Sequence, residues 1–124
     1  MPEFKQYTSR FATGFNTDYR PNNLGTRTVM IAVPIYQTIE AIKNTDFSKN
    51  TLKNLIESKT ADLSGIYQAD HSQYIDYPIT CVFQSSDFNM QYKITINPGN
   101  YLIWDEEIHR FLVLTESQFL LMYK

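Results

Sequence analysis

The stretch ITINPGNYLIWDEEIHRFLVLTESQF, residues 94–119, decides the fold of this chain. Its β-branched start breaks at Pro98-Gly99-Asn100, and the apolar run YLIW (101–104) follows. The charged run DEEIH then separates YLIW from a second apolar run, RFLVL (110–114). Short apolar runs bounded by turn residues are typical of paired strands. The pattern therefore predicts an antiparallel hairpin.

A helix is predicted directly after this hairpin. Thr115 is a favoured N-cap residue, and Gln118 occupies the position from which a capping box returns a hydrogen bond. The helix is expected to bury Phe119, Leu120 and Tyr123.

The residues before the Pro-Gly turn, FNMQYKITIN (88–97), alternate between apolar and polar side chains. A period of two is typical of an antiparallel strand with one buried face. That face is predicted to hold Phe88, Met90, Tyr92, Ile94 and Ile96.

Upstream, the β-branched run TVMIAVPIYQTIEAI (28–42) also predicts a strand. Proline cannot donate to a ladder, so Pro34 places this strand at an edge, on a bulge, or in two pieces. Ser48 or Asn50 is expected to cap a short helix. The helix should bury Leu52, Leu55 and Ile56, and further strands are predicted near 65–69 and 78–84, with a turn at 85–87.

The N-terminal residues 1–28 show no clear period. Aromatic residues at spacings of three and four allow a helical turn over 3–12, whereas Gly14 and the run YRPNNLGT indicate a loop afterwards. The expected fold is α+β: one domain, 1–124, with a small antiparallel sheet and two short helices. Residues 1–28 form an irregular, aromatic-rich segment and 29–124 the core.

Composition limits the function classes. The 124 residues are 43% hydrophobic and 19% charged, with a net charge of −2. Such a charge gives no general attraction for long nucleic acid or for an anionic membrane. No run approaches a membrane span and the start lacks a signal-peptide core, so the chain is expected in the cytoplasm. The single Cys81 excludes an internal disulfide.

Catalytic and metal-binding patterns are weak. His71 and His109 are the only imidazoles, and Cys81 lies in an apolar strand where a thiol is inert. Asp70, His71 and Asp76 lack the spacing of a metal site. The contiguous acids at 105–107 are expected to point into water. The chain is therefore predicted to be no enzyme and to carry no cofactor or metal.

The Arg and aromatic residues of the N-terminal segment suggest a different chemistry. Arg offers a planar charged fork for phosphate, aromatic rings stack on bases, and a glycine lets backbone N–H groups approach an anion. The alternative is that the rings pack on the sheet and the Arg residues pair with acids. The candidate ligand-binding residues are Arg10, Phe11, Phe15, Tyr19, Arg20, Asn22, Asn23, Gly25, Arg27 and Arg110.

A family resemblance covers about two thirds of the chain. Residues 98–123 resemble a pattern of small phage and prophage proteins: Pro-Gly-Asp-Tyr, strand, turn, strand, and a helix ending Phe-x-x-x-Tyr. Asn100 replaces the usual Asp, and Trp104-Asp105-Glu106-Glu107 replaces the usual Lys-Gly-rich turn. Residues 33–58 are similar to that family's opening strand and helix. The matching residues are Pro34, Ile39, Glu40, Ala41, Pro98, Gly99, Tyr101, Phe119 and Tyr123.

The resemblance implies a phage or prophage accessory protein in an infected or lysogenic bacterium. By analogy with the sponges that counter the Thoeris defence, it suggests a protein that sequesters a small cyclic nucleotide of the cyclic ADP-ribose type without catalysis. The alternatives are an inhibitor that contacts a host defence protein directly, or a minor phage structural protein. A homo-oligomer is expected, because a small domain with many rings and an open sheet edge needs further cover.

Overall fold

The computed structural model of the chain describes residues 2–21, 28–68, 77–85 and 90–124. For Arg20, Pro21 and Ser85 it describes the backbone alone. The strands are β1 (Lys5–Thr8), β2 (Gly14–Pro21), β3 (Thr28–Ile35), β4 (Thr38–Lys43), β5 (Leu63–Tyr67), β6 (Ile79–Ser85), β7 (Met90–Ile96), β8 (Tyr101–Asp105) and β9 (Arg110–Leu114), and the helices are α1 (Lys49–Glu57) and α2 (Glu116–Met122).

The strands form three antiparallel sheets, which confirms the α+β class. One sheet has four strands in the order β1-β4-β8-β9, a second is the meander β5-β6-β7, and the third is the hairpin β2-β3. Each of the two turns of residues 94–119 contains a residue with positive φ. Gly99 has φ 83°, and His109 ends the β8–β9 turn with φ 53°. Glycine adopts a positive φ without strain, which explains its place in the first turn.

The main core lies between the four-stranded sheet, the meander and α1. Ser48 caps α1, as predicted, through a capping box with Thr51. Trp104, Phe83 and Phe111 are the largest buried side chains of this core. The helix turns Leu52, Leu55 and Ile56 into it, which confirms the predicted buried face of α1.

A smaller core covers the opposite face of the four-stranded sheet. Thr115 and Gln118 form the predicted capping box of α2. Phe119 of α2 is fully buried and stacks on Tyr101 with ring centroids 3.9 Å apart. The expectation for Leu120 is wrong, because it is 49% exposed. Phe119 is the buried residue of this seven-residue helix.

The predicted helical turn over 3–12 is wrong, since residues 5–8 form β1 and pair with β4. Phe4 stacks near Phe111 in the main core, whereas Tyr7 contacts Tyr101 in the smaller one. Residues three apart share a face on a helix but lie on opposite faces of a strand. Because residues 5–8 are extended, Phe4 packs in the main core and Tyr7 in the smaller one, which a helix with the same spacing would not allow.

The loop predicted after Gly14 is wrong for residues 14–21, which form β2 and pair with β3 along eight positions, and its remainder at 22–26 lies outside the described residues. The strand predicted for 28–42 is divided, as Pro34 allowed, into β3 and β4 in different sheets. The strand predicted for 88–97 is β7 over its described part. It buries Ile96 but leaves Met90 65% exposed. Residues 86–89 lie outside the described part of the chain.

The predicted inertness of Cys81 agrees with its position. The thiol is fully buried in β6, and burial raises its pKa to about 12 because the thiolate would lose its hydration. Neither helix of the described residues is long and apolar enough to cross a membrane.

Candidate functional site

The candidate site is the hairpin β2–β3, residues 14–21 and 28–35. It is inserted between β1 and β4, and its base is closed by the bond from Thr13 N to Ile35 O, at 2.8 Å. Among the described elements, β2 and β3 pack chiefly on each other. Every residue of β3 is exposed. The hairpin therefore stands out from both cores.

One face of the hairpin carries its aromatic side chains. Directly opposite residues of an antiparallel pair share a face. Phe15 lies opposite Pro34, and Tyr19 lies opposite Met30. The side chains of Phe15, Tyr19 and Met30 are each exposed by about two thirds. This face, which we call the aromatic face, is an apolar surface open to solvent.

The second face of the hairpin is polar along β2 and apolar along β3. On β2 it carries the polar residues Asn16 and Asp18, opposite Val33 and Ile31 of β3. The β3 residues of this face are 37–40% exposed, less than the residues of the aromatic face. Strand β3 is thus apolar on both faces, whereas β2 is apolar on one.

The apolar surface continues from the base of the hairpin towards α2. Arg10 N donates to Met122 O at 2.8 Å, which places the adjoining Phe11 near the end of the helix. Phe11 is 67% exposed and Leu121 is 70% exposed. The candidate surface therefore has a second apolar area beside the hairpin.

Arg10 has a structural role in this arrangement. Its Nε donates to the carbonyl oxygens of Leu120 and Tyr123 at 2.9 and 3.1 Å. The last carbonyls of a helix lack intrahelical donors and attract cations. Arg10 therefore stabilises the C-terminal end of α2, and its predicted contact with a ligand stays a prediction.

Arg110 lies at the start of β9, at the opposite end of the β8–β9 turn from Asp105. Its guanidinium carbon is 4.2 Å from the ring centroid of Tyr92, which in turn stacks on Phe83 at 4.7 Å. Burial raises the pKa of the Tyr92 phenol, and the Arg110 charge opposes that rise. Arg110 itself is exposed. Its cation rests on an aromatic ring, and its predicted contact with a ligand stays a prediction.

The remaining predicted site residues are only partly described. Arg20 lies in β2 with its backbone opposite Val29. Asn22, Asn23, Gly25 and Arg27 lie outside the described residues, and so do Asp70, His71 and Asp76. In the part of the chain that the structure describes, no group of three or more His, Cys, Asp or Glu side chains is placed to hold a metal ion.

The acidic turn borders a separate cleft of about 380 Å³. Three carboxylates line this cleft: Glu40, Glu106 and Glu107. Glu106 accepts a hydrogen bond from Nε1 of Trp104, and Glu40 is paired with Lys59. Since two of the three carboxylates have partners, the cleft is weaker than the hairpin as a candidate site.

The site residues predicted from sequence included Phe15 and Tyr19 of β2 but none of β3. A signal for β3 was present: residues 28–35 carry no charge and are apolar at seven of eight positions, without alternation. That composition is typical of a strand buried on both faces, and Pro34 restricts it to an edge. Together, the two features indicate an edge strand whose apolar faces call for cover beyond its pairing with β2.

Comparison of the chain with protein-family models, with curated proteins and with solved structures finds no match. The fold and the exposed hairpin therefore carry the functional argument.

Proposed function

We propose that this protein is a non-catalytic phage or prophage accessory protein that acts by direct contact with protein, and that the hairpin β2–β3 is its contact element. The observation that carries the proposal is the aromatic face, with Phe15, Tyr19 and Met30 each about two thirds exposed. Exposed apolar surfaces of this kind mark interaction sites. The resemblance of residues 98–123 to phage and prophage proteins supports the biological context.

The composition of the face also favours a protein partner. Aromatic residues and Met are enriched at the centres of protein interfaces, where charged residues are depleted. Strand β3 carries no charged side chain. A surface built for phosphate would instead place Arg or Lys at its centre.

Sequestration of a cyclic nucleotide is the second candidate function. It is favoured by the position of Phe15 and Tyr19 on one face, where both rings are free to stack on a base. The exposed guanidinium of Arg110 on Tyr92 offers a further planar surface. A ligand would need these groups to come together, which an assembly of several chains provides.

Photo-crosslinking tests the contact function. Tyr19 is replaced by the photoreactive analogue benzoylphenylalanine in the producing bacterium, and the cells are irradiated. The matched control carries the analogue at Tyr67 of β5, which is 59% exposed against 67% for Tyr19. We expect a discrete crosslinked protein product from position 19 and none from position 67. Equal crosslinking at both positions, or none at position 19, contradicts the contact function.

A separate measurement tests sequestration, the second candidate function. Purified wild-type protein is denatured, and the supernatant is examined by mass spectrometry for a nucleotide. A stoichiometric nucleotide that disappears in Phe15→Ala, together with no crosslink at position 19, would establish sequestration in place of protein contact.

A further inference from the structure

We infer that the partner of the hairpin is a second copy of this chain, paired antiparallel through the open edge of β3 so that Met30 lies opposite Met30 of the partner subunit. The two hairpins then form one four-stranded sheet across a two-fold axis. The inference rests on the proposed contact function of the hairpin and names its partner.

Within the part of the chain that the structure describes, the hairpin lacks support from the other elements. Strands β2 and β3 pack chiefly on each other, and β3 is exposed along its whole length. An isolated two-stranded hairpin is at best marginally stable in water, whereas three or more strands with an apolar face form a stable unit. A second hairpin supplies the missing strands.

The direction of the backbone groups shows which edge is open. Ile35 O accepts from Thr13 N on the β2 side, so the odd-numbered residues of β3 face β2. Backbone direction alternates along a strand, so Thr28, Met30, Ala32 and Pro34 face the open edge. Pro34 has no N–H, so an incoming strand finds donors at 28, 30 and 32 only.

This pattern selects one register. Hydrogen-bonded pairs must join outward-facing residues of both strands. Placing Met30 opposite Met30 of the partner subunit puts Thr28 opposite Ala32 of the partner subunit, and all three open donors of each strand find acceptors. Registers shifted towards Ile35 bring Pro34 opposite Thr28 or Met30 of the partner subunit, where its ring stands in place of a donor and leaves the opposite carbonyl oxygen unpaired. The two-fold axis therefore passes through Met30.

Charge and geometry favour a second copy. Strand β3 carries no charge, so two such strands lie side by side without repulsion. Pairing at the edge sets Met30, which is 69% exposed, beside Met30 of the partner subunit and joins the two aromatic faces on one side of the four-stranded sheet. The contact is self-complementary, as a two-fold interface requires.

Met30→Lys at the proposed axis tests the arrangement. It sets two like charges opposite each other, whereas the control Met90→Lys changes a methionine of nearly equal exposure on β7. By sedimentation at tens of micromolar protein, we expect the wild type and Met90→Lys to be dimers. Met30→Lys should be monomeric, with its dimer dissociation constant raised at least about tenfold. Thermal melts check that both variants fold.

Met30→Cys gives a positive test. Directly opposed residues of a hydrogen-bonded pair have Cα atoms about 5.5 Å apart, within the range that a disulfide spans. Mild oxidation should therefore convert Met30→Cys to a covalent dimer, while Met90→Cys stays uncoupled. The native Cys81 is buried and does not compete.

A monomeric wild type, a dimeric Met30→Lys, or equal coupling of the two cysteine variants overturns the inference. If the wild type is monomeric and Tyr19 still crosslinks to another protein, the inference falls and the contact function stands. If the wild type is monomeric and Tyr19 crosslinks to nothing, both fall.

Discussion

At the scale of single residues, the most consequential polar side chain of the core was invisible in the sequence. Asn44 is 1% exposed, and its Nδ2 donates to the carbonyl oxygens of Ile96 and Asn97 at 3.1 and 3.0 Å. Its backbone also exchanges bonds with Gly99 and Asn100. Asn44 thus joins the end of β4 to the Pro-Gly turn. A lone asparagine after an apolar run reads as a loop residue, because its partners are some fifty residues away in sequence.

Asn44→Ala should destabilise the protein by about 2–3 kcal/mol, because two carbonyl oxygens lose their donor in a place that water does not reach freely. Chemical denaturation measures the loss of unfolding free energy. Asn54→Ala on the exposed side of α1 is the control, and it should stay within about 0.5 kcal/mol of the parent. Equal stabilities of the two variants would show that the buried amide contributes nothing.

At the scale of elements, the sequence predicted those whose signals are local. The capping residues of α1 and α2, the hairpin β8–β9 and the strand β7 all follow from short-range patterns, and the structure has them. The N-terminal strands did not follow, because β1 is defined by pairing with β4, some thirty residues later. The candidate site was half predicted for the same reason. Its rings were recognised singly, while the surface they form depends on β2 pairing with β3.

The hydrogen bonds from Arg10 to the C-terminal end of α2 can be tested by substitution. Arg10→Ala removes the donor to Leu120 and Tyr123, so the end of α2 should fray and the melting temperature should fall, at a cost of about 1–2 kcal/mol. Hydrogen exchange of the α2 amides measures the fraying. Lys5→Ala, on an exposed position of β1, serves as the control. A melting temperature equal to the parent's would leave Arg10 available for the ligand role predicted from sequence.

At the scale of the whole molecule, the described residues form a body with two cores and an arm, which is the hairpin β2–β3. The described residues of both cores come from elements other than β2 and β3. Stability and the proposed contact are therefore assigned to different parts of the sequence. Much of the body was predictable because its capped helices and its alternating strand β7 have local signals. The surface of the arm was not, because it depends on β2 pairing with β3.

The position of the arm also has a consequence for loop entropy. Thr8 lies opposite Thr38, and Ser9 N donates to Gln37 O at 2.8 Å, so β1 and β4 form a hairpin of their own with the arm as its loop. Joining Thr13 to Tyr36 by a short Asn-Gly turn shortens that loop roughly threefold, which lowers its closure cost by about 1 kcal/mol. The shortened chain should melt at or above the parent's melting temperature, because the hairpin β2–β3 contributes no residues to either described core. Failure to fold would mean that the arm is part of the body.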